Sequence, residues 1–494
     1  MTILEDLDFE NPVGVSSSQV KTVAIIGGGA SGAIILDSLL KEPSGITQIV
    51  VFERQKKLGG VWIVNDETVP TPNDIVKAGS YDNDPQLDNP FHEADPDVRK
   101  LVLPKNKQER FIETPSYEGI TTNIIEKLMT FSDTNRWDVE GDDDARRYVG
   151  GNVVQQYIEK YINKNLGDPR IDLRFGTTVE DVEKIERDDG AELPYRFRVT
   201  IRTAEDDEHD LWYQEEFDTV VVATGHYHVP FIPHVPGLRD VQEQFPEKIQ
   251  HAKFYRSPSA YKGKTVIVVG ARASGVDLSR CISKEPGTTV YQSIRNLETA
   301  RFVFKSENLS TKPAIKEYQI DGSDVNVIFE DGTVIQNPDH IIYGTGYLFS
   351  YPFLNRLTNN KITERLIVPG LYQHTFLISE PLITIIGVPV DGISFRVFEY
   401  QSVLVARYLT GKIKLPSRSI QTEWAANRLE EKKNTRAYHT IGIVDALSYS
   451  QYLTRLGQVP DGVAVGRQFP VLKDGDILES KGSIEKLLKL WNEA

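Results

Sequence analysis

One cysteine, Cys281, stands in 494 residues. No intrachain disulfide can form, no cysteine-rich zinc site can be built, and a redox dithiol of the Cys-x-x-Cys kind is excluded. Positive charge is also in deficit: 56 Lys and Arg face 71 Asp and Glu, a net charge of −15. Such an acidic balance argues against DNA, RNA or an anionic membrane surface as the main partner. Long apolar runs are missing too. The most apolar stretch, 376–390, is broken by Ser379, Glu380 and Pro381, and falls short of the roughly 18 apolar residues of a spanning helix. The stretch 1–19 is acidic and polar, without the basic and apolar regions of a signal peptide. These absences predict a soluble, cytoplasmic protein with no membrane anchor. What is present is ordinary globular composition, 39% hydrophobic and 26% charged. The chain can bury a sizeable core, and its length predicts two to four domains, or two large ones, at about 150 residues each.

Val23 to Ile26 is a short apolar run before a glycine cluster, and reads as a buried parallel strand. A helix over 30–41 and a second strand over 46–52 complete a βαβ start. The segment 65–97 carries nine acidic residues, five prolines and one lysine, Lys77. It reads as a loop-rich, solvated insertion, with a flap over a substrate entrance as the functional alternative. A helix over 152–163 follows, and strands over 171–175, 197–202 and 211–223 suggest a small antiparallel meander. The strand–glycine–helix unit then recurs near Thr265. Asp331–Gly332 marks a hairpin turn. The C-terminal residues Ile484, Leu487, Leu488 and Leu490 suit one face of a short docked helix.

The first glycine motif is Gly27-Gly28-Gly29-Ala30-Ser31-Gly32. It matches G-x-G-x-x-G between a strand and a helix. Gly27 permits the tight turn, Gly29 lets backbone approach a pyrophosphate, and Gly32 lets the helix pack on the strand. The helix N-terminus offers N–H groups and positive dipole to phosphates. Glu53 ends the next strand, about 20 residues on, where an acid holds ribose hydroxyls.

The second motif is Gly270-Ala271-Arg272-Ala273-Ser274-Gly275. Arg272 replaces its middle glycine. The strand beyond it runs into Ser293-Ile294-Arg295, with no acid. Ser293 and Arg295 suit an adenosine 2′-phosphate, which a carboxylate would repel, so NADPH is expected over NADH. An acid-bearing first site and a Ser/Arg-bearing second site predict FAD in the first and NADPH in the second.

At this point the residues resemble the flavin-containing monooxygenases, and within them the fungal, thiol-oxidising-like branch. The resemblance spans about 21–417. It rests on the first glycine motif, on Glu53 followed by Gly59-Gly60-Val61-Trp62, and on Tyr117 to Asn123 with Met129 to Asp133. Two crossings, Ala223-Thr224-Gly225 and Gly344-Thr345-Gly346, add to it. The identifying pattern F-x-G-x-x-x-H-x-x-x-(F/Y) falls on Phe245, His251 and Tyr255, with Glu247 at the glycine position.

The resemblance implies an α/β fold of two dinucleotide-binding, Rossmann-like domains, the NADPH domain inserted into the FAD domain. The expected division is a polar tail over 1–20, the first FAD part over 21–225, an NADPH domain over 226–343, and the second FAD part with a C-terminal extension over 344–494. It implies that Val61, Trp62 and Ile124 contact FAD and that Thr178 and Val179 contact its adenine end. It places Thr122, Ser274, Gly275, Val276 and Asp277 against NADP, and Asn123 beside the flavin as the catalytic residue. From spacing alone, Asn123 reads equally as the cap of a helix starting at Ile124.

The implied chemistry is oxygenation of a soft nucleophile, a thiol, sulfide or amine, by a C4a-hydroperoxide of the reduced flavin, with O₂ as co-substrate. A Baeyer–Villiger monooxygenase and a peroxide-producing NADPH oxidase are the alternatives. The lone Cys281, expected to be buried, excludes a flavin disulfide reductase. The intact first motif argues against a non-enzymatic flavin-fold protein. No metal is expected: His226, His228 and His234 have no carboxylate or cysteine pattern beside them. A homodimer is compatible with the sequence but not required by it.

Overall fold

The computed structural model describes residues 11–65, 69–82, 84, 86–108, 112–141, 147–296, 304, 306–360, 362–443 and 445–493. Two parallel-centred sheets organise it. The first has seven strands in the order Leu371–Tyr372, Phe376–Leu377, Ile383–Ile385, Thr219–Val222, Thr22–Ile26, Gln48–Phe52 and Ile171–Arg174. Its central residues, Val23 to Ile25, Ile49 to Val51 and Val220 to Val222, are buried. Near-continuous β-branched runs suit strands covered on both faces. The second sheet has five strands, all parallel: Ile249–His251, His340–Tyr343, Thr265–Val269, Thr289–Ser293 and Leu309–Lys312. In sequence its strands lie between Thr219–Val222 and Ile383–Ile385 of the first sheet. The protein is thus an α/β molecule of two dinucleotide-binding-type sheets, one interrupting the other.

The two sheets repeat one hydrogen-bond pattern. Gly27 N–H donates to Phe52 O at 2.8 Å, and Gly270 N–H to Ser293 O at 3.0 Å. Ala223 N–H donates to Ile26 O, and Gly344 N–H to Val269 O, both at 2.8 Å. Glu53 N–H reaches Arg174 O at 2.8 Å, and Ile294 N–H reaches Lys312 O at 2.9 Å. Each glycine turn is therefore clamped between the strand that follows its helix and a crossing strand.

Helix Ala30–Lys41 has the boundaries its sequence predicts, and is buried through Leu39. Helix Ser394–Leu409 packs against it and is almost wholly buried. A four-stranded antiparallel sheet, ordered Lys100–Pro104, His209–Phe217, Tyr195–Ala204 and Thr177–Glu186, caps the first.

Three expectations need correction. Ile171–Arg174 and Thr219–Val222 belong to the parallel sheet, and the meander instead uses Thr177–Glu186. Strand alternation alone does not say which sheet a strand joins. The insertion 65–97 is not simply a solvated excursion. Val76 and Ala78 are fully buried with Val229, Ile232 and Leu238, and Gln242 Nε2 donates to Val76 O at 2.6 Å. The acidic average hides the apolar residues that anchor the loop. Residues 66–68, 83 and 85 lie outside the described residues. The C-terminal helix is long, Asp474–Glu493, and docks through buried Leu487 and the Lys127–Asp476 ion pair.

Candidate functional site

Gly27 turns the chain at φ +112°, and a Cβ there would meet Ala223 O at 2.6 Å. A Cβ on Gly32 would lie 2.0 Å from Gly27 O. These contacts press the turn, helix and crossing strand together, which only glycine allows. No side chain caps helix Ala30–Lys41, so its first N–H groups stay available to an anion.

Beside this turn lies a cavity of about 340 Å³. Its lining draws on the glycine turn (Gly27, Gly29, Ala30, Ser31), on Glu53, on Gly59 to Trp62, on Asn123 and Ile124, and on Thr178 and Val179. Gly29 and Gly60 face each other backbone to backbone: a Cβ on Gly60 would stand 3.0 Å from Gly29 Cα. Glu53 Oε2 accepts from Gly28 N–H at 2.7 Å, and Oε1 from Gln55 N–H at 2.6 Å. Burial raises the Glu53 carboxyl above its usual range, and these backbone bonds oppose the shift. Trp62, Phe353, Phe395 and Phe398 supply aromatic surface. A side-chain-free turn at a helix N-terminus, a carboxylate with lone pairs to spare and an aromatic wall together fit a flavin dinucleotide.

Asn123 is exposed to this cavity, and its amide has no side-chain hydrogen bond among the described residues. It caps no helix, since the next helix is Glu126–Met129, with Ile125 at the cap. The capping alternative is therefore overturned. Thr122 lies outside the lining, fully buried, its Oγ1 accepting from Val149 N–H at 3.1 Å. Gly28 and Gly32 lie behind the cavity wall.

The second turn is built alike. Gly270 has φ +133°, and a Cβ there would meet Gly344 O at 2.6 Å. A Cβ on Gly275 would stand 2.4 Å from Gly270 O. Helix Ala273–Ser283 also lacks a side-chain cap. Its other expected residues are arranged differently. Ser274 is partly exposed and Val276 is buried. Asp277 is buried, its carboxylate bonded by Tyr117 Oη and, at 2.7 Å, by Arg280 Nη2. Ser293 is buried in the strand, and its hydroxyl donates to Pro313 O at 2.9 Å. Arg295 is exposed. The register puts Ile294, not Ser293, where the first unit carries Glu53. None of these second-motif residues lines the cavity.

Both departures from the motifs are harmless to the backbone. Arg272 has φ −100° and a side chain 62% exposed, paired with Asp391. Glu247 sits on the exposed turn Pro246–Lys248, outside the left-handed region. Cys281 is half-buried rather than buried, and burial pushes its thiol up to about 12.

The crossings are held by neutral histidines. His226 Nδ1–H donates to Gly387 O at 2.9 Å, His228 Nε2–H to Thr224 O at 2.6 Å, and His251 Nε2–H to Gly346 O at 3.0 Å. Burial lowers them to about 4, about 3 and about 3. His226 and His228 line the cavity, as do Asp84, Arg54 and Phe398. Residues such as Phe398 carry no motif, and spacing along the chain does not find them.

A family model for flavin-binding monooxygenase-like proteins matches residues 84–296 and 303–465. The chain belongs to this family. As a flavin-binding monooxygenase-like protein it is an enzyme, in a family of FAD- and NADPH-dependent oxidoreductases. The matched part begins beyond the first glycine motif, whose case rests on its geometry. The flavin-containing monooxygenase FMO GS-OX3 of Arabidopsis thaliana is 31% identical over 445 residues, 88% of this chain and 83% of that one. The flavin-containing monooxygenase ustF2 of Aspergillus flavus is 26% identical over 465 residues, 86% and 90% of the two chains. In fold, the S-allyl-L-cysteine S-oxygenase of Allium sativum aligns with a TM-score of 0.72 at 24% identity, over 95% of this chain and 93% of that one. Among the described residues no helix is long and apolar enough to cross a membrane.

Proposed function

We propose that this enzyme uses NADPH and O₂ to oxygenate a sulfur or nitrogen atom of a small molecule. The carrying observation is the convergence of Asn123, Trp62 and the first glycine turn on one cavity. The histidines of that cavity support it: burial holds His226 and His228 neutral, as suits a site whose oxidant comes from a cofactor.

A flavin held here would supply the redox chemistry, with NADPH as the two-electron donor and O₂ as the oxidant, one oxygen atom ending on the nucleophile and the other in water. The chain's own residues bind and orient. Gly29, Ala30 and Ser31 present backbone N–H groups to the pyrophosphate, and Gly27, Gly28 and Gly32 set that turn. Glu53 holds ribose hydroxyls, Thr178 and Val179 flank the adenine end, and Val61, Trp62 and Ile124 wall the ring and exclude water. The Asn123 amide donates to the reacting centre. Gly270, Ser274, Gly275 and Val276 form the NADPH turn. Thr122 and Asp277, whose side chains are engaged, act by shaping the segment and the helix on which they stand. Ser293 shapes the strand end, and Arg295 carries the preference for a 2′-phosphate. In this reading 21–225 and 344–494 form the FAD part, and 226–343 the NADPH part. The fold shared with an S-allyl-L-cysteine S-oxygenase favours a sulfide over an amine as substrate.

The test is an NADPH-oxidation screen of thiols, sulfides and amines with peroxide measured in parallel. Oxygenated product without matching peroxide is expected. Peroxide alone identifies an oxidase instead. Asn123→Ser should divert NADPH to peroxide; unchanged product yield removes Asn123 from its role.

A further inference from the structure

The segment 117–124 starts in the core of one sheet and ends in the cavity of the other. Tyr117 is 6% exposed and packs with Val266, Leu278 and Ile282 beside the second sheet. Its ring meets Tyr255 edge-on at 5.1 Å. Its hydroxyl donates to Asp277 Oδ2 on the second glycine helix, and Arg280 holds the other carboxylate oxygen at 2.7 Å. Glu118 N–H donates to Arg256 O at 2.8 Å.

The far end is tied to the first unit. Gly151 N–H donates to Ile120 O at 3.0 Å, Thr122 N–H to Val149 O at 2.9 Å, and Val149 N–H to Thr122 Oγ1 at 3.1 Å. Asn123 follows at once and enters the cavity. A short segment fixed at both ends has little slack, so a shift of helix Ala273–Ser283 reaches Asn123 through it.

We infer that Tyr117 is a positioning residue, whose bond to Asp277 couples the second glycine helix to the placement of Asn123. The inference rests on the proposed NADPH site at that helix. With the bond in place, a dinucleotide seated on the helix steadies Asn123. Without it, the nucleotide binds but Asn123 is no longer held, and reducing equivalents leak to peroxide.

The test uses the flavin-loaded full chain. Tyr117→Phe keeps the ring and removes only the hydroxyl. Expected are wild-type flavin content, continued NADPH consumption, and a peroxide share raised about fivefold. In the wild type, NADP⁺ slows amide hydrogen exchange across 117–124; in Tyr117→Phe that protection is lost. Asp277→Asn, which keeps an oxygen acceptor, should leak less than Asp277→Ala. Wild-type peroxide share and exchange in Tyr117→Phe overturn the coupling, as does equal leakage from both Asp277 variants. Loss of flavin from Tyr117→Phe also overturns it, since the role is then structural. A wild type that consumes no NADPH and shows no NADP⁺-dependent protection overturns the proposed function itself, a distinct result.

Discussion

The two glycine turns share a backbone and differ in what surrounds it. Gly27 leans on Ala223 as Gly270 leans on Gly344, each at 2.6 Å from the nearest carbonyl oxygen to a notional Cβ. Around the first turn, Gly60 closes over Gly29, Glu53 takes the Gly28 N–H, and the cavity is walled in. Around the second, Arg272 stands outward at the middle position and Ile294 occupies the place of the acid. The first turn borders a cavity and the second stands outside it. The proposed assignment, a retained flavin at the first and an exchanging nicotinamide at the second, accounts for that difference.

The largest expected effect comes from the third glycines. Gly32→Ala drives a Cβ to 2.0 Å from a carbonyl oxygen and should cost about 3 kcal/mol or more, with flavin lost on purification. Gly275→Ala, at 2.4 Å, should abolish NADPH turnover yet keep the yellow flavin. Visible absorbance separates them, and loss of flavin from both would break the comparison.

Next is pH. His226, His228 and His251 titrate at about 4, about 3 and about 3, below the ordinary value of 6.5. Between pH 6.5 and about 4 the unfolded chain binds protons that the folded chain refuses. Stability therefore falls as pH drops through that window, by about 1.4 kcal/mol per pH unit for each histidine. Melting temperatures from pH 7.5 to 4.5 should trace this fall. His251→Gln should remove the share of the second crossing; an unchanged slope would show that His251 does not contribute.

Third, Arg295→Ala should lower kcat/KM for NADPH about tenfold and leave NADH nearly unchanged. Ile294→Glu, which puts an acid at the register of Glu53, should push the preference further toward NADH. Equal losses with both nucleotides would dissociate Arg295 from the 2′-phosphate.

The smallest effect belongs to Arg272→Gly, which restores the ideal motif and removes an exposed ion pair with Asp391. Stability should change by less than about 1 kcal/mol, and the KM for NADPH by no more than about threefold, read from steady-state kinetics.

Much of this was legible in the chain. Helix Ala30–Lys41 and strand Thr265–Val269 stand as read, because glycine turns and β-branched runs are local signals. The insertion 65–97 reads from composition as a solvated loop, because the average passes over the residues, Val76 and Ala78, that bury. Helix Ser394–Leu409 carries no motif, although it walls the cavity with Phe395 and Phe398. Ser293 looked like a phosphate ligand by position, but its hydroxyl is taken by Pro313 O, a partner 20 positions on.

By itself the sequence determined the two strand–glycine–helix units, the acid at Glu53 and its absence from the second unit. A glycine conformation, a strand run and a charge need only near neighbours to be read. The tertiary structure decided that Asn123 faces the cavity beside the first glycine turn rather than capping a helix, that Ile294 stands in register with Glu53, and that Tyr117 belongs to the core of the other sheet. Those facts depend on sheet register and on contacts between residues more than a hundred positions apart. Packing sets such contacts, and short-range pattern carries no trace of them.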